Sequence, residues 1–306
     1  MQMLNNLPYG VLQCATIFMS IIIEALPFVL LGSIVSGFLE VFLTPQFINK
    51  ILPKNKVLRI FFGVFLGFFF PSCECGIVPI VHRLMAKGIP GYTALPFMVA
   101  APIVNPVVLF ATYIAFGNSW RFALLRMFGA ILIATIVGLF IAYIYNGDIL
   151  KEGDIEISHS HDHHHTHDTN HKENLGHRIW DALSHAIDEF FDTGRYLIIG
   201  SAIASIMQIY IPTRYITNIS HNKLMAVLLM MLLAFIMSLC SEADAFIGSS
   251  LLGLFGPAPV IAFLLFGPVV DIKNLLMMNR FFKTKFTLQF IAIVTLATII
   301  FAEVFV

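Results

Sequence analysis

Eight stretches of this chain, near residues 11–43, 57–81, 92–116, 121–145, 194–212, 223–245, 258–278 and 286–305, are apolar over the roughly 20 residues that a helix needs to cross a bilayer. Nothing else constrains the fold as much. Backbone in lipid must satisfy its own N–H and C=O groups, which leaves helices or closed barrels, and continuous runs of this length read as helices. Hydrophobic residues make up 58% of the chain and charged ones 12%, against about 25% charged in soluble domains. No basic stripe exists outside short loop clusters, so nucleic-acid binding is excluded. The expected fold is an all-α integral membrane protein of about eight transmembrane helices. Its first partner is the lipid bilayer, and its expected location is the cytoplasmic membrane.

The charges divide the chain. Residues 146–195 carry eleven acids against four bases, so the overall neutrality conceals an acidic middle between two apolar blocks. We therefore read residues 1–146 as a first transmembrane repeat and 147–178 as a His/Asp-rich polar linker. Residues 179–306 form a second repeat that opens with an amphipathic helix over His177–Phe191. On that helix Trp180, Leu183, Ile187 and Phe190 share one face and His177, Asp181, His185 and Asp188 another, a pattern suited to lying along the membrane surface. The first apolar run is too long for a signal-peptide core and reads as a retained span. If all eight runs cross, Lys50, Lys54, Lys56, Arg59, Arg121, Arg126, Arg214, Lys223, Arg280, Lys283 and Lys285 fall on one side, which the positive-inside tendency makes cytoplasmic. Both termini and the linker then face outward.

The two blocks match at an offset of 166 to 168 residues. Glu24-Ala-Leu-Pro-Phe-Val-Leu-Leu-Gly-Ser33 falls on Asp192-Thr-Gly-Arg-Tyr-Leu-Ile-Ile-Gly-Ser201. Pro45 meets Pro212, Cys73 meets Cys240, Pro102 meets Pro268 and Asn105 meets Asp271. Internal repeats of this kind are common in transporters, and the expected architecture is two homologous halves, parallel or inverted according to whether each crosses an even or an odd number of times.

Each half holds two spans interrupted by prolines or polar residues: Phe70-Pro-Ser-Cys-Glu-Cys-Gly-Ile-Val-Pro79 and Ala101-Pro-Ile-Val-Asn-Pro106, then Leu239-Cys-Ser-Glu-Ala-Asp244 and Gly267-Pro-Val-Val-Asp-Ile-Lys273. Proline removes a helical hydrogen bond, and carbonyls freed inside a membrane must find protein or water. Such breaks line sites near the midplane. Glu24, Glu74, Glu242, Asp244 and Asp271 all lie in or beside apolar spans, where a charge costs about 2.5 to 3.5 kcal/mol. They are candidate transport residues, together with Asp192 as the partner of Glu24, Asn105 as that of Asp271, and Lys273 as an internal cation. A satisfied ion pair of Asp271 or Asp244 with Lys273 is the purely structural alternative.

Cys73, Cys75 and Cys240 accompany these acids. Thiolates favour soft metals and metalloids over magnesium or calcium, and C-x-C spacing is not that of a zinc ribbon or a redox dithiol. Cys14 reads as an apolar filler, and all four cysteines read as thiols. In the linker, His159, His161, His163, His164, His165, His167 and His171 alternate with acids. Imidazoles at this density bind divalent metals such as zinc with low specificity. No other cofactor is implied, and the composition cannot fold alone.

Cys73-Glu-Cys-Gly-Ile-Val-Pro79, Ala100-Ala-Pro-Ile-Val-Asn-Pro106, Cys240-Ser-Glu-Ala-Asp244 and Gly267-Pro-Val-Val-Asp-Ile-Lys-Asn274 together resemble the predicted permease family formerly called domain of unknown function 318. The resemblance spans nearly the whole chain. That family includes the organoarsenical efflux permeases, from which this chain differs in having Glu74 between two cysteines and a long His-rich linker. The resemblance implies a permease and a companion membrane subunit.

The residues point to a permease for a thiophilic metal ion or trivalent organometalloid-like solute, with efflux coupled to protons. Alternatives are a metal-responsive membrane scaffold or a subunit of a larger permease complex. An intramembrane thiol enzyme lacks a nucleophile and base pair: no His lies at a span centre, and His82 sits at a span end.

Overall fold

The computed structural model describes residues 9–42, 52–70, 74–151, 175–210 and 222–306. Its regular elements are all helices: α1 (Tyr9–Phe42), α2 (Lys56–Phe69), α3 (Glu74–Ala86), α4 (Gly91–Val104), α5 (Pro106–Ala115), α6 (Trp120–Tyr143), α7 (Leu175–Tyr210), α8 (Lys223–Met237), α9 (Ser241–Phe255), α10 (Pro257–Phe266), α11 (Ile272–Phe281) and α12 (Thr284–Phe305). An isolated antiparallel bridge joins Leu150 to Phe282. The seven linker histidines and Cys73 lie outside the described residues.

By length and composition four candidate membrane spans are present, Gly10–Leu39, Gly91–Ala115, Trp120–Tyr143 and Thr284–Phe305. Other apolar runs are divided. The run at 57–81 becomes two helices of 14 and 13 residues, each about 20 Å long and short of a ~30 Å hydrocarbon core. They run in opposite directions. Gly63 of α2 lies against Thr93 and Phe97, and Gly67 against Ala100 and Ala101, so α2 and α4 are parallel. Met85 of α3 lies near Gly91 while Ile77 and Val78 face Met98, so α3 and α4 are antiparallel. The chain has therefore turned back by Glu74.

Glycine is what permits the α2·α4 packing. A Cβ on Gly63 would sit 2.2 Å from the Thr93 carbonyl oxygen, and small residues are the usual means of close approach between helices in lipid. The opposite face of α2 presents Phe61, Phe65 and Phe69 outward, where lipid removes any penalty for apolar exposure.

Helices α4 and α5 both run antiparallel to α6: Gly91 lies near Ile141 and Gly138 against Pro96, while Thr112 meets Arg126 and Phe116 stacks on Phe122. They are one path with a break at Asn105. Helices α1 and α7 are antiparallel, since Gly37 packs on Ala182 and Ala186 while Cys14 meets Ser205. So are α6 and α12, with Tyr145 on Phe286 at one end and Phe128 on Phe301 at the other.

The amphipathic segment is continuous with the next span. α7 runs 36 residues without interruption; Ala182 and Ala186 pack on Gly37 of α1 and the buried Glu189 pairs with Arg83 of α3 at 2.9 Å, while Trp180, Leu183 and Ile187 are exposed. It therefore stands against α1 through its small residues; of the predicted apolar face only Phe190 is half-buried and packed on the core.

Candidate functional site

The breaks in the helices meet inside the bundle, and polar side chains close three of them. Asn105 caps α5 by accepting from the Val108 amide at 2.9 Å, while its own amide donates to the Ala101 carbonyl at 3.2 Å. Asp271 caps α11 by accepting from the Asn274 amide at 2.6 Å. The Cys240 sulfur caps α9, accepting from the Ala243 amide at 3.4 Å. Each satisfies an orphan donor of a helix N-terminus, which a membrane interior would otherwise leave unpaired at a cost of several kcal/mol.

From these caps a buried network extends across the chain. Asp271 Oδ2 accepts from the Ser238 hydroxyl at 2.6 Å and lies 3.6 Å from Lys273 Nζ. Lys273 is also 3.6 Å from Glu74 Oε1, and the Ser241 hydroxyl donates to Glu74 Oε2 at 3.4 Å. The Cys240 thiol donates to Glu24 Oε1 of α1 at 2.6 Å. Glu24, Glu74, Cys75, Cys240 and Lys273 line a small cavity of about 10 Å³ with Ile21, Ala25 and Phe28, about the room one water needs. Asp244 is buried, and one of its carboxylate oxygens lies 2.8 Å from where a Cβ on Gly267 would stand, so a larger residue there would displace the carboxylate.

Arg126 was read with the loop cations, but it is fully buried on α6. It donates to the Thr112 hydroxyl at 2.7 Å and the Ser241 carbonyl at 3.0 Å, tying α5 and α6 to the break before α9, in the field of Asp244 and Glu242. Five residues beyond Arg121, it sits ~7.5 Å deeper along the helix, and that depth was the available signal. The serines Ser238 and Ser241 carried none.

Not every candidate joins the cluster. Asp192 lies apart, half-buried, paired with Arg195 and with Arg280 at 3.5 Å. Glu242 is half-buried, and Asn105 makes only the local bonds above among the described residues. Cys14 meets Ser205 at 3.4 Å in the α1·α7 seam, in keeping with a filler. Cys14, Cys75 and Cys240 are free thiols. His82 is buried and stacked on Phe281, ring centroids 4.6 Å apart. Among the described residues no three His, Cys, Asp or Glu side chains stand close enough to hold a metal ion.

Residues 11–306 match the model of the family described as "Predicted permease", ArsP_1. The chain belongs to this family. It is 61% identical over 301 residues to a Streptococcus mutans serotype c (strain ATCC 700610 / UA159) protein named "Putative two-component membrane permease complex subunit", covering 98% of this chain and 97% of that one. It is 46% identical over 289 residues to UPF0718 protein YcgR of Bacillus subtilis (strain 168), covering 94% and 95%. No solved structure matches. Membership makes the chain a multi-pass membrane protein of a permease family, and a transporter is the activity that family and relatives suggest, rather than an enzyme.

Proposed function

We propose that this chain is the membrane-embedded subunit of a permease that moves a thiophilic metal ion or trivalent metalloid through the central cluster, as efflux exchanged for protons, with a companion subunit like that implied in the streptococcal relative's name. One observation carries the reading: interrupted segments from both ends of the chain bring Cys75, Cys240, Glu24, Glu74 and Lys273 around one cavity. Sulfur and carboxylate together suit a soft cation. Glu24, Glu74, Asp244 and Asp271 outnumber Lys273 and Arg126 there. Near electroneutrality at that depth then requires protons when the site is empty and a cationic solute when it is loaded, which is the arithmetic of exchange.

The architecture we infer has two halves of six helices in the same order, α1–α6 and α7–α12, with the polar linker between, shortened at its end by α7, which begins at Leu175. Lys56 and Lys223 open α2 and α8, and Asn105 and Asp271 cap α5 and α11. The pairs α1/α7 and α6/α12 run antiparallel, so the halves are inverted. Each crosses three times, through α1, the broken α4–α5 and α6 in the first, and contributes one re-entrant hairpin, α2–α3 or α8–α9. Two re-entrant hairpins in place of crossings reverse the orientation drawn from eight. Lys56, Arg59, Arg83, Lys87, Lys151, Arg280, Lys283 and Lys285 then share the linker side, joined by contacts such as Arg59 to Tyr92, Lys56 over Tyr143 and Lys151 to Phe281. Arg121 and Lys223 stand opposite. The linker side is thus cytoplasmic, and its histidines hold zinc or another divalent ion ahead of the site.

The test is flux in proteoliposomes with an internal fluorescent metal indicator, comparing cadmium with magnesium. Cys75→Ser with Cys240→Ser should lower cadmium flux at least tenfold, and an acid-inside gradient, which drives protons out as cadmium enters, should speed wild-type uptake. Unchanged cadmium flux in the double variant would overturn the sulfur site.

A further inference from the structure

A groove of about 680 Å³ opens between α2 and α6 and shares no lining residue with the central cavity. Its mouth is at Pro53 and Leu58, and its walls are Phe61, Phe65 and Phe68 of α2 against Met127 and Ile131 of α6. Lys56, at the start of α2, lies over the ring of Tyr143, at the end of α6, with Nζ 5.7 Å from the centroid. The two helices therefore begin and end at one level on the linker side. Met127 is sixteen residues back from Tyr143, ~24 Å along the helix, so the groove passes through the ~15 Å of hydrocarbon in one leaflet. An apolar cleft open to a bilayer takes up a hydrocarbon chain, because an empty one forfeits its dispersion contacts.

Charge at the mouth selects which lipid. Lys54 and Lys56 are exposed and lie in the chain between the mouth residues Pro53 and Leu58. Neither meets a carboxylate among the described residues. Tyr143 is exposed beside them, as tyrosines at the interface of a membrane are, which sets both ammoniums at headgroup depth. Arg59 is committed elsewhere: it donates to the Pro53 carbonyl at 2.6 Å and the Tyr92 hydroxyl at 3.1 Å, pinning the mouth to α4. A helix of a companion subunit fits the groove less well. Helices associate in lipid through Gly, Ala, Ser and Thr, none of which is among the groove's described lining residues, whereas α2 uses Gly63 and Gly67 on its other face to pack on α4.

The geometry points to a binding site for one anionic phospholipid of the linker-side leaflet, its acyl chain in the α2–α6 groove and its phosphate held by Lys54 and Lys56. Lysine binds phosphate as a point charge, and the site is independent of what the permease carries. The acyl tail reaches Val104, which lines the groove and ends α4 immediately before the Asn105 cap, so the lipid packs against the broken path from outside.

The test uses full-length protein in phosphatidylcholine nanodiscs. Trp120→Phe and Trp180→Phe remove the chain's two tryptophans, and Phe65→Trp places a single indole in the groove. Ile131→Trp gives the same readout from α6 should Phe65→Trp not fold. Leu296→Trp, exposed on α12 and ~18 Å from Thr284, reports ordinary lipid at comparable depth. Fluorescence quenching is titrated with phosphatidylglycerol or phosphatidylcholine carrying dibrominated tails. At the groove reporters, brominated phosphatidylglycerol should reach half-quenching at a mole fraction roughly threefold or more below that of brominated phosphatidylcholine. At Leu296→Trp the two should quench alike, and K54Q/K56Q should erase the preference in the groove. Equal quenching by both lipids at the groove reporters, or a preference that survives K54Q/K56Q, overturns the site. So does quenching by neither lipid there while Leu296→Trp responds, the result expected of a groove closed to lipid or built for a protein partner.

Discussion

Asp271 holds three things at once, and substituting it in two ways separates them. It caps α11 through the Asn274 amide, accepts from Ser238 and stands 3.6 Å from Lys273. Alanine removes all three: a cap is worth about 0.5–2 kcal/mol, the orphaned Ser238 hydroxyl costs about 1–3 kcal/mol, and breaking a buried ion pair costs about 3–5 kcal/mol. These overlap because they share one side chain, and Lys273 keeps Glu74, so we expect D271A to lose about 3–5 kcal/mol in total. Asparagine keeps an oxygen for the Asn274 amide, and the Ser238 hydroxyl can turn and accept from its NH₂. Only the charge is lost, about 1–2 kcal/mol as a charge-assisted bond becomes a neutral one. Reversible unfolding in mixed micelles of mild detergent and dodecyl sulfate, followed by circular dichroism, measures both. If D271A and D271N are equally destabilised, or D271A lies within about 0.5 kcal/mol of wild type, the cap and network do not hold the break as argued. Flux adds a second axis: D271N should fold yet transport poorly if the charge serves exchange.

Gly63→Ala should cost about 1–3 kcal/mol, because its Cβ meets the Thr93 carbonyl at 2.2 Å. Gly253→Ala, with open space around it, should be neutral or stabilising by about 0.5–1 kcal/mol in the same unfolding assay. Arg126→Met should destabilise by about 1–3 kcal/mol by leaving the buried Ser241 carbonyl and Thr112 hydroxyl without their charged donor, with Arg126→Lys recovering part of that loss; a silent Arg126→Met would remove it from the network. For orientation, a membrane-impermeant maleimide applied to intact cells should label Asn118→Cys and should reach Lys87→Cys only after permeabilisation, and the reverse pattern would restore an outward linker. Cys14→Ser should leave cadmium flux within twofold of wild type, in contrast to Cys240→Ser.

Much of this was legible in the residues, and the failures have common physical causes. Long apolar runs marked an all-helical membrane chain, and Pro, Asn, Asp and Cys inside them marked where helices stop, because a break in lipid needs a polar side chain to close it. Run length could not tell a crossing from a hairpin: 57–81 is as long as one span, and only the packing of Gly63 and Gly67 on α4 reveals that the chain folds back. The amphipathic reading of 177–191 ended at a boundary that does not exist. Gly194 alone, at about 1 kcal/mol relative to Ala, does not interrupt a helix held along α1. The pairing of Glu24 with Asp192 does not carry over to place, since α1 brings Glu24 to Cys240 while α7 brings Asp192 to Arg280.

The caps of the two broken paths make the last step of the argument. Asn105 and Asp271 do the same structural work, each accepting from the amide three residues on, so a neutral side chain suffices to close such a break. The charge at Asp271 is therefore surplus to folding the break itself, and it is placed where Lys273, also bound to Glu74, can answer it. A buried pair that a neutral pair could replace is poor evidence for stability. It is better evidence for a position whose charge must change partners. Lys273 between two carboxylates satisfies the site when no cation occupies it, and a cation arriving at Glu74 would release Lys273 to Asp271 alone. Under the exchange proposed above, the half bearing Asn105 serves as the fixed wall and the half bearing Asp271 as the side that responds to cargo.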